Sequence, residues 1–187
     1  MPTTVQFRRG TAAQNNSFTG AAGELSIDTD NDSIRVHDGS TAGGFETNAK
    51  QAQYADVAER YWADDVYEPG TLLVFGGLKE VTVSTTPLSK RIAGIVSTDP
   101  YCVMNSPHRK PELTNEYHPP MALLGRVPAK VVGEISKGDL MVASDTPGHA
   151  CAWREEGSPP AGSIVGKAVE DKTGLDAGEI EIAVGIT

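Results

Sequence analysis

The chain has 187 residues, 39% of them hydrophobic, with 20 glycines, 12 prolines and a formal net charge of −9. That acidity argues against a nucleic-acid surface, which needs clustered Lys and Arg to neutralise phosphates, and no run approaches the roughly 18 apolar residues of a membrane span. Low apolar content with many turn formers points to a β-rich chain, either one large domain or a small one followed by a medium one.

The amino terminus lacks the basic-then-apolar layout of a secretion signal, so synthesis and folding in a cytoplasm are expected. Cys102 and Cys151 are then expected as free buried thiols, since disulfides are rare in that compartment. His149-Ala-Cys151, and Cys102 with His108, lack the paired spacing of a zinc site. No metal or other cofactor is expected.

In residues 1–47, three pairs alternate with polar neighbours: Val5 and Phe7, Leu25 and Ile27, Ile34 and Val36. Period two marks half-buried strands. Asp28-Thr-Asp-Asn-Asp32 reads as a hairpin connection, with Asp38-Gly39 and Gly43-Gly44 as further turns. Arg8 and Arg9 are placed to pair with Glu24 or Asp28, or to lie in solvent. Three strands with single apolar faces cannot enclose a core. The segment must therefore borrow surface from neighbouring copies, and Val5, Phe7, Leu25, Ile27, Ile34 and Val36 are the expected interface.

The stretches Val5–Gln14, Phe18–Asp30, Ile34–Gly39 and Gly43–Phe45 resemble the amino-terminal β-prism of the phage major tropism determinant family. The resemblance implies a homotrimer that binds a receptor from a tail fibre. That family continues into a C-type-lectin-like domain with a variable receptor surface, and nothing after residue 60 resembles it. The receptor-contacting residues are therefore not carried over.

Residues 48–62 read as a helical linker. Asn48 can cap a helix running to Arg60, with Ala, Gln, Lys and Glu inside it. Ala52 and Ala55 lie on its small-residue stripe and join the expected trimer interface. A helix this short is marginal alone, so it either forms a threefold neck or lies against the domain that follows.

Residues 63–187 read as a β-barrel or sandwich, the knob of an all-β molecule. Strands are expected over 71–75, 81–83, 91–96, 121–127, 129–132, 139–143, 163–169 and 179–184, short segments rich in Val, Ile and Leu. An internal repeat aligns Glu68-Pro-Gly-Thr-Leu-Leu-Val74 with Ser136-Lys-Gly-Asp-Leu-Met-Val142. It also aligns Arg91–Asp99 with Ser163–Asp171. Gly94 and Gly166 within the later strands mark a bulge or a close backbone approach. Tyr54–Trp62, Ile92–Pro100, Ala122–Val131 and Gly162–Ala168 are similar to a carboxy-terminal β-domain of phage tail fibres and related bacterial surface proteins. Some proteins with related segments are cleaved or act as folding modules, which the resemblance leaves open here.

Catalytic chemistry is not legible. Ser89-Lys90 and Ser136-Lys137 are neighbours whose side chains diverge, so neither makes a serine–lysine dyad. Asp64, Asp65 and Glu68 read as a solvated acidic turn. Asp30, Asp32 and Asp38 complete no calcium loop, and Gly20 to Gly23 lacks the Lys and helix of a phosphate cradle. Asn105-Ser106 reads as a turn before proline rather than a self-cleavage junction. The loop from Tyr101 to Pro120 is long enough to be functional. Its Tyr101, His108, Arg109, Tyr117 and His118 suit contact with a glycan or a protein surface, or a wrap around a neighbouring subunit. Trp153 is a further ligand-binding candidate, on a sugar face or over the barrel mouth.

The expectation is a phage or prophage virion protein, a trimeric tail-fibre or tail-tip component assembled in the host cytoplasm. Its partners would be two further copies, other tail proteins and a host cell-surface receptor, a glycan or a protein. The alternatives are a purely structural virion or decoration protein, and an autoproteolytic or hydrolytic fibre domain.

Overall fold

Strands form over Leu25–Asp28 and Ser33–Val36 where the period-two pattern places them, whereas the first strand, expected around Val5 and Phe7, begins at Arg8, and a fourth is added over Phe45–Thr47. A computed structural model describes residues 6–47, 56–105 and 116–185. The chain divides into two units, Met1–Ala52 and Gln53–Thr187.

The first unit is a four-stranded sheet in the order β1 (Arg8–Gly10), β2 (Leu25–Asp28), β3 (Ser33–Val36), β4 (Phe45–Thr47). The first pair is parallel and the others antiparallel. The Asp28–Asp32 turn joins β2 to β3 as expected, with Asp32 at φ 49°. The stretch after β1 folds into a short helix, α1 (Ala12–Ser17), that the sequence reading takes as a polar turn. Its start is encoded locally: the Gln14 amide donates to Thr11 Oγ1, and the Thr11 amide donates to Gln14 Oε1. Asn15 ties α1 to the sheet by donating to the carbonyls of Gly10, Thr11 and Ile27.

The second unit opens with β5 (Asp56–Arg60), where the sequence reading expects a helix to Arg60. Helix propensity is a weak prior, and pairing overrides it. Asp56 and Ala58 point inward while β5 pairs with β9 (Cys102–Met104) and β10 (Pro120–Val132). The remainder of the expected linker, 48–55, with Ala52 and Ala55, lies outside the described residues. β6 (Leu72–Phe75), β7 (Val81–Val83), β8 (Ile92–Val96), β11 (Leu140–Ala143), β13 (Ile164–Ala168) and β14 (Ala177–Val184) fall where strands are expected. β9 and β12 (Ala150–Ala152) are additional three-residue strands. The two segments expected on either side of Pro128 are one long strand, β10. Lys130 sends its amide to the Gly70 carbonyl, away from β14, and Pro128 shares that side. The missing proline N–H therefore removes no bond from the β10–β14 ladder.

The internal repeat is a duplicated barrel. Strands β10, β12, β11, β13 and β14 close a ring of five. Strands β10, β8, β6, β7 and β5 make a second ring, closed by a bridge from Ala63, just past β5, to Val81. The registers coincide. Leu72, Leu73 and Val74 face Ile95, Gly94 and Ile92; Leu140, Met141 and Val142 face Lys167, Gly166 and Ile164, with the same one-residue slip. The parallel Ala63–Val81 bridge has its counterpart in Val131–Ala150. Even the turns match: Gly70 N donates to Val96 O and Gly138 N to Ala168 O.

The interiors correspond as well. Ala63, Leu73, Val81, Ala93, Val96 and Met121 fill the first barrel. Val131, Met141, Ala150, Val165, Ala168 and Ile182 take the same places in the second. Gly94 and Gly166 sit where the sequence predicts close backbone approach. A β-carbon on Gly94 would lie 2.7 Å from the Ala122 carbonyl, and one on Gly166 would collide with that of Ala183. Strand β10 completes one barrel and begins the other: Gly125 pairs with Asp56 in β5 and with Val184 in β14.

Candidate functional site

In the first unit the sheet is inverted relative to an ordinary soluble one. Ser26, Asp28, Ser33, Arg35 and His37 are buried, and α1 packs beside them. On the opposite face Leu25 lies across from Val36 and Ile27 across from Ile34. Ile34 is 41% and Val36 39% exposed, whereas Arg35 between them is 6% exposed. Phe7, just before β1, is exposed too. The expected interface residues thus line one uncovered apolar face; Val5 lies outside the described residues.

A buried polar layer persists only where its groups are bonded. Arg35 Nη2 lies 2.8 Å from Asp28 Oδ2, and Arg35 Nη1 donates to Asn16 Oδ1 and the Gly43 carbonyl. Asp28 Oδ1 accepts the amides of Asp30 and Asn31, and Ser33 donates to Glu46. Burial alone would raise the Asp28 carboxyl, but Arg35 and the turn amides more than offset it and hold it below the usual carboxylate range.

His37 Nε2 lies 2.8 Å from Ser26 Oγ, and its Nδ1 accepts the Gly20 amide at 3.3 Å. The Phe18 ring stands edge-on to His37 at 5.1 Å. Arg8 lies over Phe18 and bonds Glu24 at 2.7 Å, which is the pairing, among those open from sequence, that forms. Gly20 is needed at that spot, because a β-carbon there would sit 2.6 Å from His37 Cγ. The Asp38 turn is equally fixed. Its carboxylate accepts from the Thr41 and Ser40 amides and hydroxyls, and those amides hold it well below the usual range.

In the second unit the stretch from Tyr101 to Pro120 is not one exposed loop. It begins with β9, paired in parallel with β5. His108 and Arg109 lie outside the described residues. Tyr101 sends its amide to the Asp56 carbonyl at the start of β5, while the Tyr117 carbonyl accepts from Ala63 beyond its end. His118 is only 9% exposed, which corrects its placing on an open contact surface. Its carbonyl accepts Arg60 Nη1, and its ring stacks 6.2 Å from Trp62. Lys79 Nζ lies 3.7 Å from the Trp62 ring centre, and Glu80 accepts the Trp62 amide. His118 and Lys79 thus gather on Trp62, a site the sequence reading missed. The signal available was the Glu-Arg-Tyr-Trp62 end of the supposed helix, read only as part of a resemblance.

Trp153 lies apart from these, on the second barrel. It borders a cleft of about 450 Å³ between Pro87 and Leu88 on one side and the β11–β12 hairpin on the other. Its indole nitrogen donates to the Gly157 carbonyl at 3.1 Å. Cys151 lies beside it, its thiol pushed up by burial and by Asp145. Both cysteines are free, and Cys102 is exposed rather than buried. Among the described residues, no three His, Cys, Asp or Glu side chains converge to hold a metal ion.

Residues 5–41 match the family described as the major tropism determinant N-terminal domain. A tail fiber receptor-binding protein of Bordetella phage BPP-1 is 62% identical over 45 residues, which are 24% of this chain and 12% of that one. Among solved structures, the major tropism determinant I1 variant aligns over 88% of this chain and 36% of its own, at 23% identity and a TM-score of 0.26. The P3c variant aligns over 90% and 42%, at 20% identity and a TM-score of 0.25. The chain thus spans a minor part of each relative's length, and the family match lies within the amino-terminal unit.

Proposed function

We propose that this chain is a bacteriophage tail-fibre component, carried in the virion, that forms a homotrimer through its amino-terminal unit and contributes to host attachment. The observation that carries the reading is the inverted sheet. Leu25, Ile27, Ile34 and Val36 form an apolar face whose burial would stabilise an assembly by about 1.5–3 kcal/mol per fully covered side chain. A buried polar layer behind it leaves the unit no core of its own to turn that face toward. The match of residues 5–41 to the major tropism determinant N-terminal domain supports that setting. Three copies around one axis would present three sets of weak contacts, so attachment gains strength by avidity. Other tail proteins would hold the assembly, and a host receptor would meet the barrels.

The reading is non-enzymatic: binding is the mechanism, and the barrels are rigid carriers. A stable full-length mass after prolonged incubation is expected, and shortening at a single bond would replace this with the self-cleaving reading. Native mass spectrometry and light scattering of the full chain test subunit number. Three copies are expected; a monomer at high dilution, with the first unit still ordered, would overturn the proposal.

A further inference from the structure

We propose that the cleft beside Trp153 binds a neutral pyranoside. This deepens the attachment reading and rests on it for its biological setting, but the chemistry stands on the cleft alone. Its volume of about 450 Å³ is that of a small-ligand site. Pro87, Leu88 and Val142 give it apolar walls, and Trp153 adds a flat aromatic one. The bond from the indole nitrogen to Gly157 fixes the ring plane, so no rotation is lost when a ligand stacks on it.

The exposed charged groups at the rim are two carboxylates and one guanidinium. Asp145 and Glu155 are exposed carboxylates lining the opening. Arg154 lines the cleft as well, its Nη2 held by Asp139 at 2.8 Å and by the Glu134 carbonyl at 3.0 Å. Two carboxylates beside a guanidinium already engaged elsewhere favour hydroxyl donors over anions. An apolar wall with a flat aromatic face favours the C–H side of a ring. A polyhydroxylated ring with an axial C–H face meets both demands.

The cleft is also built rather than incidental. Leu88 holds φ 55°, a conformation that costs a β-carbon-bearing residue about 1–2 kcal/mol. The strain is fixed by the bond from its amide to the Ala143 carbonyl at 3.0 Å, which sets the connection after β7 over the second barrel. At the matching place on the duplicated first barrel, Phe75 takes the position of Ala143 and is left 43% exposed. The duplication alone therefore does not produce the cleft.

The full chain is titrated with methyl α-glucopyranoside, methyl β-galactopyranoside, methyl α-mannopyranoside and N-acetylglucosamine, followed by saturation-transfer NMR and the two indole N–H resonances. At least one sugar is expected to receive saturation on its ring C–H protons and to move the Trp153 resonance while leaving that of Trp62. Trp153→Ala should abolish the transfer. Asp145→Asn, at an exposed position that spares the fold, keeps an acceptor oxygen but removes its charge and should weaken binding about fivefold. The proposal is overturned if none of the four sugars binds, if transfer survives Trp153→Ala, or if tetramethylammonium moves Trp153 and the sugars do not. Those results leave subunit number untouched, whereas a monomer that still binds sugar would sink the trimeric reading and keep this site.

Discussion

Ile34 and Arg35 are chain neighbours with opposite fates: the isoleucine stands in solvent within its own unit, and the arginine is enclosed and bonded to Asp28, Asn16 and Gly43. A single polypeptide gains nothing from that arrangement. An assembly that covers Ile34 gains the hydrophobic term and keeps the polar layer intact.

Ile34→Asp is expected to leave the first unit's polar layer in place and to dissociate the proposed trimer. Each copy loses one covered aliphatic side chain, about 1.5–3 kcal/mol, and must also bury a carboxylate. Light scattering should report monomers at concentrations where the parent protein is assembled, and near-native circular dichroism separates this from unfolding.

The turn carboxylates of the first unit and Asp56 of the second should answer acid in opposite ways. Asp28 and Asp38 are held below the ordinary aspartate value of 3.8, so their contribution is complete above it and is lost as pH falls beneath it. Asp56 is raised, chiefly by burial, although Ser97 donates to it. Its contribution is complete below 3.8 and is lost as pH rises through its higher folded value. Hydrogen exchange read separately over β2–β3 and β5 from pH 5 to pH 3 should show protection falling in the first. It should hold or rise in the second.

Gly20→Ala is expected to destabilise the first unit by about 1–3 kcal/mol, the usual cost of overpacking, because the new methyl meets the His37 ring. Limited proteolysis should cut residues 6–47 sooner than in the parent, while cleavage of the barrels is unchanged.

Leu73→Ala and Met141→Ala occupy one position of the duplicated barrel and should each cost about 2–5 kcal/mol. Chemical denaturation should lose stability to a similar degree in both. A large cost for one and none for the other would show that the barrels differ in how they support the unit.

Most strands and the duplication were legible because alternation and repeated Gly-x-Leu-x-Val segments are local signals. Alternation, however, states which residues share a face, not which face is wet, and so Arg35 and Ile34 could be assigned sides only from the fold. The helix at Thr11 was readable from its Thr-x-x-Gln box but short enough to pass as a turn. The helix expected to reach Arg60 failed because the Ala, Glu and Arg pattern of 56–60 fits either element until β10 supplies a partner. β9 and β12, three residues each, carry too little pattern to declare themselves. Trp62 became a site residue only when distant Lys79 and His118 met it, a contact no local spacing encodes.

Strand β10 runs without interruption from one barrel into the other, changing partners at Gly125. A pull along it loads the ladders to β5 and β14 in shear, where many hydrogen bonds must give way together rather than one at a time. The pair of barrels should therefore resist tension as a single stiff element, the mechanical property needed by any tether between a moving particle and a fixed surface.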